Sequence, residues 1–201
     1  MNRTAPIVLA SQSASRRAML EAAGIAFAVD PAAVDEAAVK DRLKERRAEA
    51  REVAETLAWL KAEEVSRRHG DALVVGSDQM LVCNGRWFDK PESRAGARAQ
   101  LLALKGRRHE LIAAVTVVRN GEKLWHHVER AALTMRAFSE DFLDGYLDRV
   151  GSKAFQSVGA YQIEGLGVQL FENIEGDSFT IMGMPLLPLL AFLRGVGALP
   201  S

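Results

Sequence analysis

The acids and bases of this chain stand where an apolar sequence gives them something to do. In ALVVGSDQMLVCNGRWFDKP, residues 72–91, Leu73–Val75 read as a buried strand that Gly76 ends, and Asp78 follows where a buried chain disfavours a charge. Met80–Cys83 resume the strand, Asn84-Gly85 supplies a turn with two positive φ angles, and Lys90 arrives just before Pro91. The hairpin therefore returns Lys90 toward Asp78. A carboxylate and an ammonium so placed can polarise water and offset negative charge; the plain alternative is a turn-capping aspartate and a solvated lysine. Near the start, SQSASRRAML puts Ser11, Ser13, Ser15, Arg16 and Arg17 at the opening of a helix. Arginines in a first turn oppose the helix dipole, and an anion at that terminus resolves the conflict, unless the side chains snorkel outward. Asp35 and Glu36 add adjacent acids in a loop, and Asp177 another late in the chain. Serines and arginines for an anion, lysines, and carboxylates for a cation and a water make up the inventory of phosphate chemistry.

The elements that must position these residues follow from periodicity. Ile7–Ala10 and Ala26–Val29 read as strands around the first helix, which Gly24 stops, and Ser13 or Ser15 can cap it. A long charged helix is expected over about Val39 to His69, ended by Gly70, with Val53, Leu57, Leu60 and Val65 on its apolar face and Lys61 leaning in from the edge. Ala95–Leu104 reads as a helix, His109–Val118 and Glu122–Met135 as a hairpin about Asn120-Gly121, and Glu140–Val150 as a helix capped by Ser139 with Phe142, Tyr146 and Leu147 inward. From Val158 the glycine-punctuated text suggests short strands, and Pro185 opens the last helix. No repeat or linker divides the 201 residues, so the expectation is one α/β domain with a mixed sheet over 1–201.

Composition excludes several classes. Lysine plus arginine and aspartate plus glutamate both number 26, so no global field holds nucleic acid or an anionic membrane. The lone Cys83 forms no internal disulfide, no Cys/His cluster suits zinc, and MPLLPLLAFL is too short to span a bilayer; a cytoplasmic protein is expected. A serine-hydrolase elbow, a Walker loop and a dinucleotide fingerprint are all missing.

LASQSASRRAML, Val34-Asp35-Glu36, LAWLKAEEV, GSDQM, Asp89-Lys90-Pro91 and the run from GAYQIEGLG through EGD to GMPL, in that order, resemble the Maf family of nucleotide pyrophosphatases over nearly the whole chain. The resemblance implies an elongated α/β fold with a central cleft, similar to inosine triphosphate pyrophosphatases. It also implies hydrolysis of a nucleoside triphosphate to monophosphate and pyrophosphate with Mg²⁺ or Mn²⁺, in a house-cleaning role. By position it makes Ser11, Ser13 and Arg16 phosphate ligands, places Glu36, Lys61 and Lys90 with the proton acceptor Asp78, and assigns metal to Glu36, Asp78 and Asp177. Ser15, Gln79 and Glu164 fall on positions tied to base choice and match the 7-methyl-GTP pyrophosphatase branch at the last two. Ser15 lacks that branch's stacking tryptophan, and Asp89 replaces the usual glycine. A carboxylate at Glu164 accepts the two N–H groups of a guanine edge, so a guanine-type substrate is expected. The family's link to septum formation leaves a second reading, a nucleotide-responsive protein regulating cell division, and a homodimer stays open.

Overall fold

The computed structural model describes residues 5–200. Seven strands form a mixed sheet in the order β2-β1-β3-β5-β6-β7, with β4 paired to β3. These are β1 Ile7–Leu9, β2 Ala28–Val29, β3 Leu73–Cys83, β4 Arg86–Phe88, β5 Arg108–Arg119, β6 Glu122–Met135 and β7 Phe171–Glu175. The chain forms two compact units. One comprises the residues up to Gln79, Ala113–Glu129 and the residues from Gly183; the other comprises Met80–Ile112 and Arg130–Met182.

In the first unit β1 pairs in parallel with β2 (Val8↔Ala28) and β3 (Val8↔Val74), as helical crossovers between successive strands require. The crossovers are α1 (Ala14–Ala22), then α2 (Glu36–Glu45) and α3 (Ala50–Ser66). One long helix was expected over 39–69; the chain instead breaks at Arg47, whose φ of 56° is left-handed. Arg47 N–H donates to Lys44 O and Ala48 N–H to Leu43 O, closing the α2 end without a glycine, which is why the sequence hid the boundary. Asp35, expected in a loop, caps α2 by accepting from Ala38 N–H at 3.0 Å, and Glu36 becomes its first helical residue.

Helix α3 buries Val53, Ala54, Leu57, Ala58, Ala62 and Val65 completely, while Leu60 is only half-buried. Its two small residues, Ala58 and Ala62, explain a second departure from expectation. Gly76 does not end a strand; β3 runs unbroken from Leu73 to Cys83 through Gly76, Ser77 and Asp78. A Cβ on Gly76 would lie 2.2 Å from Ala58 O and 2.8 Å from the Ala62 methyl, so the glycine is there to let the helix backbone approach the strand. Side chains two apart on a strand share a face, and Asp78 therefore faces the same helix as Gly76. Helix α7 (Leu186–Gly195) completes this unit, opened by Pro185 as the sequence suggests.

The second unit is built on a separate core of Leu81, Phe88, Leu101, Leu104, Leu111, Leu133, Met135, Leu143, Tyr146 and Leu147 among others. Asn84 and Gly85 take φ of 50° and 76°, and the expected hairpin forms with Leu81↔Phe88 and Cys83↔Arg86 opposed. Helices α4 (Arg94–Leu104) and α5 (Glu140–Val150) are capped by Ser93 and Ser139; Leu143 joins Tyr146 and Leu147 inside, and Phe142 is half-buried. The glycine-rich stretch after Val158 forms short 3-10 turns at Val158–Ala160 and Leu166–Leu170 before β7, where strands were expected. Gly167 shows why: a Cβ there would strike Gln162 backbone at 2.4 Å, so this glycine lets the chain fold tightly on itself. Among the described residues no helix is long and apolar enough to cross a membrane.

Candidate active site

Lys61 organises the polar residues of the first unit. Its α3 position carries the stem through apolar surroundings, and its ammonium Nζ stands 2.6 Å from Asp78 Oδ1 and 2.7 Å from Glu36 Oε1. Lys61 and Asp78 side chains are 10% and 7% exposed, whereas Glu36 is 45% exposed, so the bridge runs from the interior to a solvent-facing acid. An ammonium has three donors and can serve both carboxylates at once. Asp78 Oδ2, by contrast, is buried and has no hydrogen-bond partner. A buried carboxylate oxygen left unpaired is costly unless something else meets it, and a water, a phosphate-bound cation or a proton does so.

The helix start supplies the complementary charge. Ser13 caps α1 by accepting from Arg16 N–H, and its own N–H donates to Ser11 Oγ at 3.2 Å. The two first-turn arginines part company. Arg17 turns outward to an exposed i,i+4 pair with Glu21 at 2.8 Å. Arg16 turns in, donating from Nη1 to Ser11 Oγ at 3.2 Å and from Nε to the carbonyl of Gly183 at 2.9 Å. Burial lowers the Arg16 guanidinium from its ordinary value, and the fields of Asp78 and Glu36 oppose that lowering. The guanidinium thus shares an electrostatic neighbourhood with both acids.

Two residues in this arrangement carry no polar motif signal in the sequence. Ser77 is fully buried, and its hydroxyl lies 2.8 Å from Ala114 O and 3.0 Å from Gly183 O. Gly183 holds φ of 105°, and its carbonyl receives both Ser77 and Arg16. A non-glycine residue is strained at that φ, so the glycine before Met184-Pro185 was the available clue. Gln79, half-buried on β3, has its side-chain oxygen 3.7 Å from where a Gly183 Cβ would stand. Ser15 is half-buried in the first turn of α1.

The structure therefore brings Ser11, Ser13, Arg16, Glu36, Lys61 and Asp78 into one set within the first unit. Lys90, Glu164 and Asp177 belong to the second. Lys90 lies just beyond β4 and Glu164 in the turn between the 3-10 segments, both exposed. Asp177 is half-buried and caps the short helix Ser178–Ile181, its Oδ2 accepting from Thr180 N–H at 2.9 Å and Thr180 Oγ1 at 3.1 Å. Among the described residues no three acidic, histidine or cysteine side chains gather as a ready metal cage. Mg²⁺ in nucleotide enzymes commonly uses one or two carboxylates, waters and the substrate's own phosphates, and Glu36 with the unpartnered Asp78 oxygen fits that donor set.

A mixed α/β sheet presenting a serine–arginine pair at a helix N-terminus beside lysine-bridged carboxylates has the chemistry of phosphate-handling proteins. Within that class, the chain belongs to the family of Maf-like proteins, whose model matches residues 6–196. It is similar to the nucleoside triphosphate pyrophosphatase of Paramagnetospirillum magneticum, 60% identical over 96% of this chain and 99% of that protein. The protein of that name in Granulibacter bethesdensis is 55% identical over 94% of this chain and 95% of its own length. The 7-methyl-GTP pyrophosphatase of Rhizobium etli is 50% identical, covering 96 to 98% at its ends and 98% of each chain in the alignment.

Proposed function

We propose that this chain hydrolyses a nucleoside triphosphate to the monophosphate and pyrophosphate. The names and full-length coverage of the similar proteins support the activity. The observation that carries the mechanism is Lys61 held between Asp78 and Glu36 with Asp78 Oδ2 left unpartnered. Water attacks the α-phosphorus, a new P–O bond forms and the α–β anhydride bond breaks. Pyrophosphate leaves with the bridging oxygen. The proton of the attacking water passes to Asp78 Oδ2, because Oδ1 is committed to Lys61. Lys61 fixes the carboxylate's orientation and keeps it ionised. Arg16 and Ser11 bind phosphate oxygens, Ser13 holds the turn that presents them, and Lys90 adds charge from the second unit.

A divalent cation such as Mg²⁺, bound by Glu36 and Asp78 with substrate oxygens, supplies neutralisation of the triphosphate charge; Asp177 is a third candidate ligand. A cytoplasmic setting follows from the substrate and from Cys83, which is a free, buried thiol. Asp78→Asn keeps the side chain's size and removes its basicity. Pyrophosphate release with Mg²⁺ is expected to fall by about 10²–10⁴-fold while nucleotide binding persists, and wild-type turnover would reject Asp78 as base.

Gln79 beside Asp78, and Glu164, are proposed to select a guanine-type base. Glu164 as a carboxylate only accepts hydrogen bonds, which suits the adjacent N1 and N2 donors of guanine and leaves thymine or uracil mismatched. Such a mismatch separates substrates by about a hundredfold or more. Glu164→Gln should erode the preference without reducing pyrophosphate chemistry on the less favoured bases. An unchanged substrate ranking would remove Glu164 from base selection.

A further inference from the structure

The hairpin that joins β5 to β6 leaves a long strand edge with an unusual charge pattern. Strand β6 begins at Glu122, whereas β7 pairs with it only from Ala132 onward. Among the described residues, no strand pairs with the outer edge of β6 before that point. The stretch Glu122-Lys123-Leu124-Trp125-His126-His127-Val128-Glu129 contains no proline, and Leu124 is 41% exposed. A flat edge of that length invites pairing with another strand unless its side chains forbid it.

The backbone phase decides which residues look outward. Asn120 and Gly121, at φ of 50° and 76°, make the two-residue turn, so Arg119 and Glu122 close the hairpin as a hydrogen-bonded pair. Alternate residues from Glu122 then direct their N–H and C=O to β5. Lys123, Trp125, His127 and Glu129 direct theirs to the open edge. Two copies of this edge can pair antiparallel only in registers that match outward residues with outward residues.

One such register, centred on His126, is complementary to itself. It sets Lys123 opposite Glu129 of the second copy, Trp125 opposite His127, Leu124 opposite Val128, and each of these pairs occurs twice about the axis. Sliding either copy by one allowed step sets Lys123 against His127 or Ala131 and loses both ion pairs. The side chains are already disposed for the arrangement. Trp125 and His127 stack within one chain at 6.0 Å and 6° between planes, and Phe192 stacks on Trp125 from the other side at 5.1 Å. Lys123 Nζ stands 5.1 Å from the Trp59 ring, and Glu129 accepts from or pairs with His127 at 3.1 Å, contacts that leave both charges at the surface. We infer that the outer edge of β6 is a homodimer interface, in which a second copy of this chain adds its β6 antiparallel across His126 and continues the sheet.

The inference is independent of the hydrolytic reading, because none of these residues belongs to the phosphate set. Sedimentation equilibrium over a range up to tens of micromolar, with circular dichroism to verify folding, tests it with charge reversals. Wild type is expected to dimerise. Lys123→Glu and Glu129→Lys, each alone, place like charges opposite each other twice and should weaken the dimer about tenfold or more. Mixing the two variants restores attraction at both ends, so a heterodimer is expected from two chains that do not self-associate. The double variant K123E/E129K should dimerise as wild type does. A monomeric wild type, a dimer indifferent to either reversal, or a mixture that stays monomeric would each overturn the assignment.

Discussion

At Lys61 a single ammonium serves two carboxylates, and its removal has a consequence that surface lysines do not share. Lys61→Met preserves the aliphatic stem that packs in α3 and deletes only the charge. Asp78 would then be a buried carboxylate without its counter-charge, and Glu36 would lose its anchor. The expected result is a loss of about 3–5 kcal/mol of stability near neutral pH, or protonation of Asp78 and with it loss of the base. Urea unfolding alongside pyrophosphate release measures both. Equal stability and equal turnover would make the lysine a snorkelling side chain after all. The serines of the helix start divide similarly by contact: Ser11 receives Arg16, Ser13 caps the helix, and Arg17 spends its charge on Glu21.

Among the elements, the junction of α3 and β3 sets the site. Gly76, Ala58 and Ala62 bring helix and strand backbones close enough for Lys61, on the helix, to meet Asp78, two residues beyond the glycine. Gly76→Ala inserts a methyl that meets a helix carbonyl oxygen at 2.2 Å, an atom that cannot turn aside. A destabilisation on the order of 3 kcal/mol is expected, with activity falling further than stability alone explains, because the helix must shift away from Asp78. Thermal melts and single-turnover rates at a temperature where the variant stays folded separate the two effects. A variant as stable as wild type would show that the helix has slack.

For the whole molecule, β3, β5 and β6 each carry residues of both units, and we propose that the chain unfolds as one domain. Its acid limit is written in the second unit. His109 is buried on β5 with Nε2 2.8 Å from the Tyr161 hydroxyl, and burial pushes its pKa down to about 4. The unfolded chain takes up that proton near the ordinary value of about 6.5, while the folded chain refuses it until about 4. Stability present above pH 6.5 is therefore lost as pH falls through this window, by about 3 kcal/mol from this group. His109→Gln can keep a hydrogen bond to Tyr161 without titrating, so its urea midpoint should fall less between pH 7 and 4.5 than that of wild type. Parallel curves would mean that His109 adds nothing to acid sensitivity.

The sequence by itself determined the strands, the turns at Asn84-Gly85 and Asn120-Gly121, the caps at Ser13, Ser93 and Ser139, and the chemistry of the site, because each rests on local signals. Asp78 and Lys61 were legible as a charge in an apolar run and a lysine at the edge of an apolar face. Only the tertiary structure decided that they meet. It also decided that Glu36, not Asp35, reaches Lys61, since one residue of helical rotation separates a capping acid from one that faces α3. The break at Arg47 and the continuity of β3 through Gly76 were hidden because a left-handed arginine and a glycine pressed against a helix are set by packing rather than propensity. Ser77 and Gly183 were hidden for the same reason: their bond closes across 106 residues of sequence, and a hydroxyl held by a distant carbonyl leaves no periodic mark.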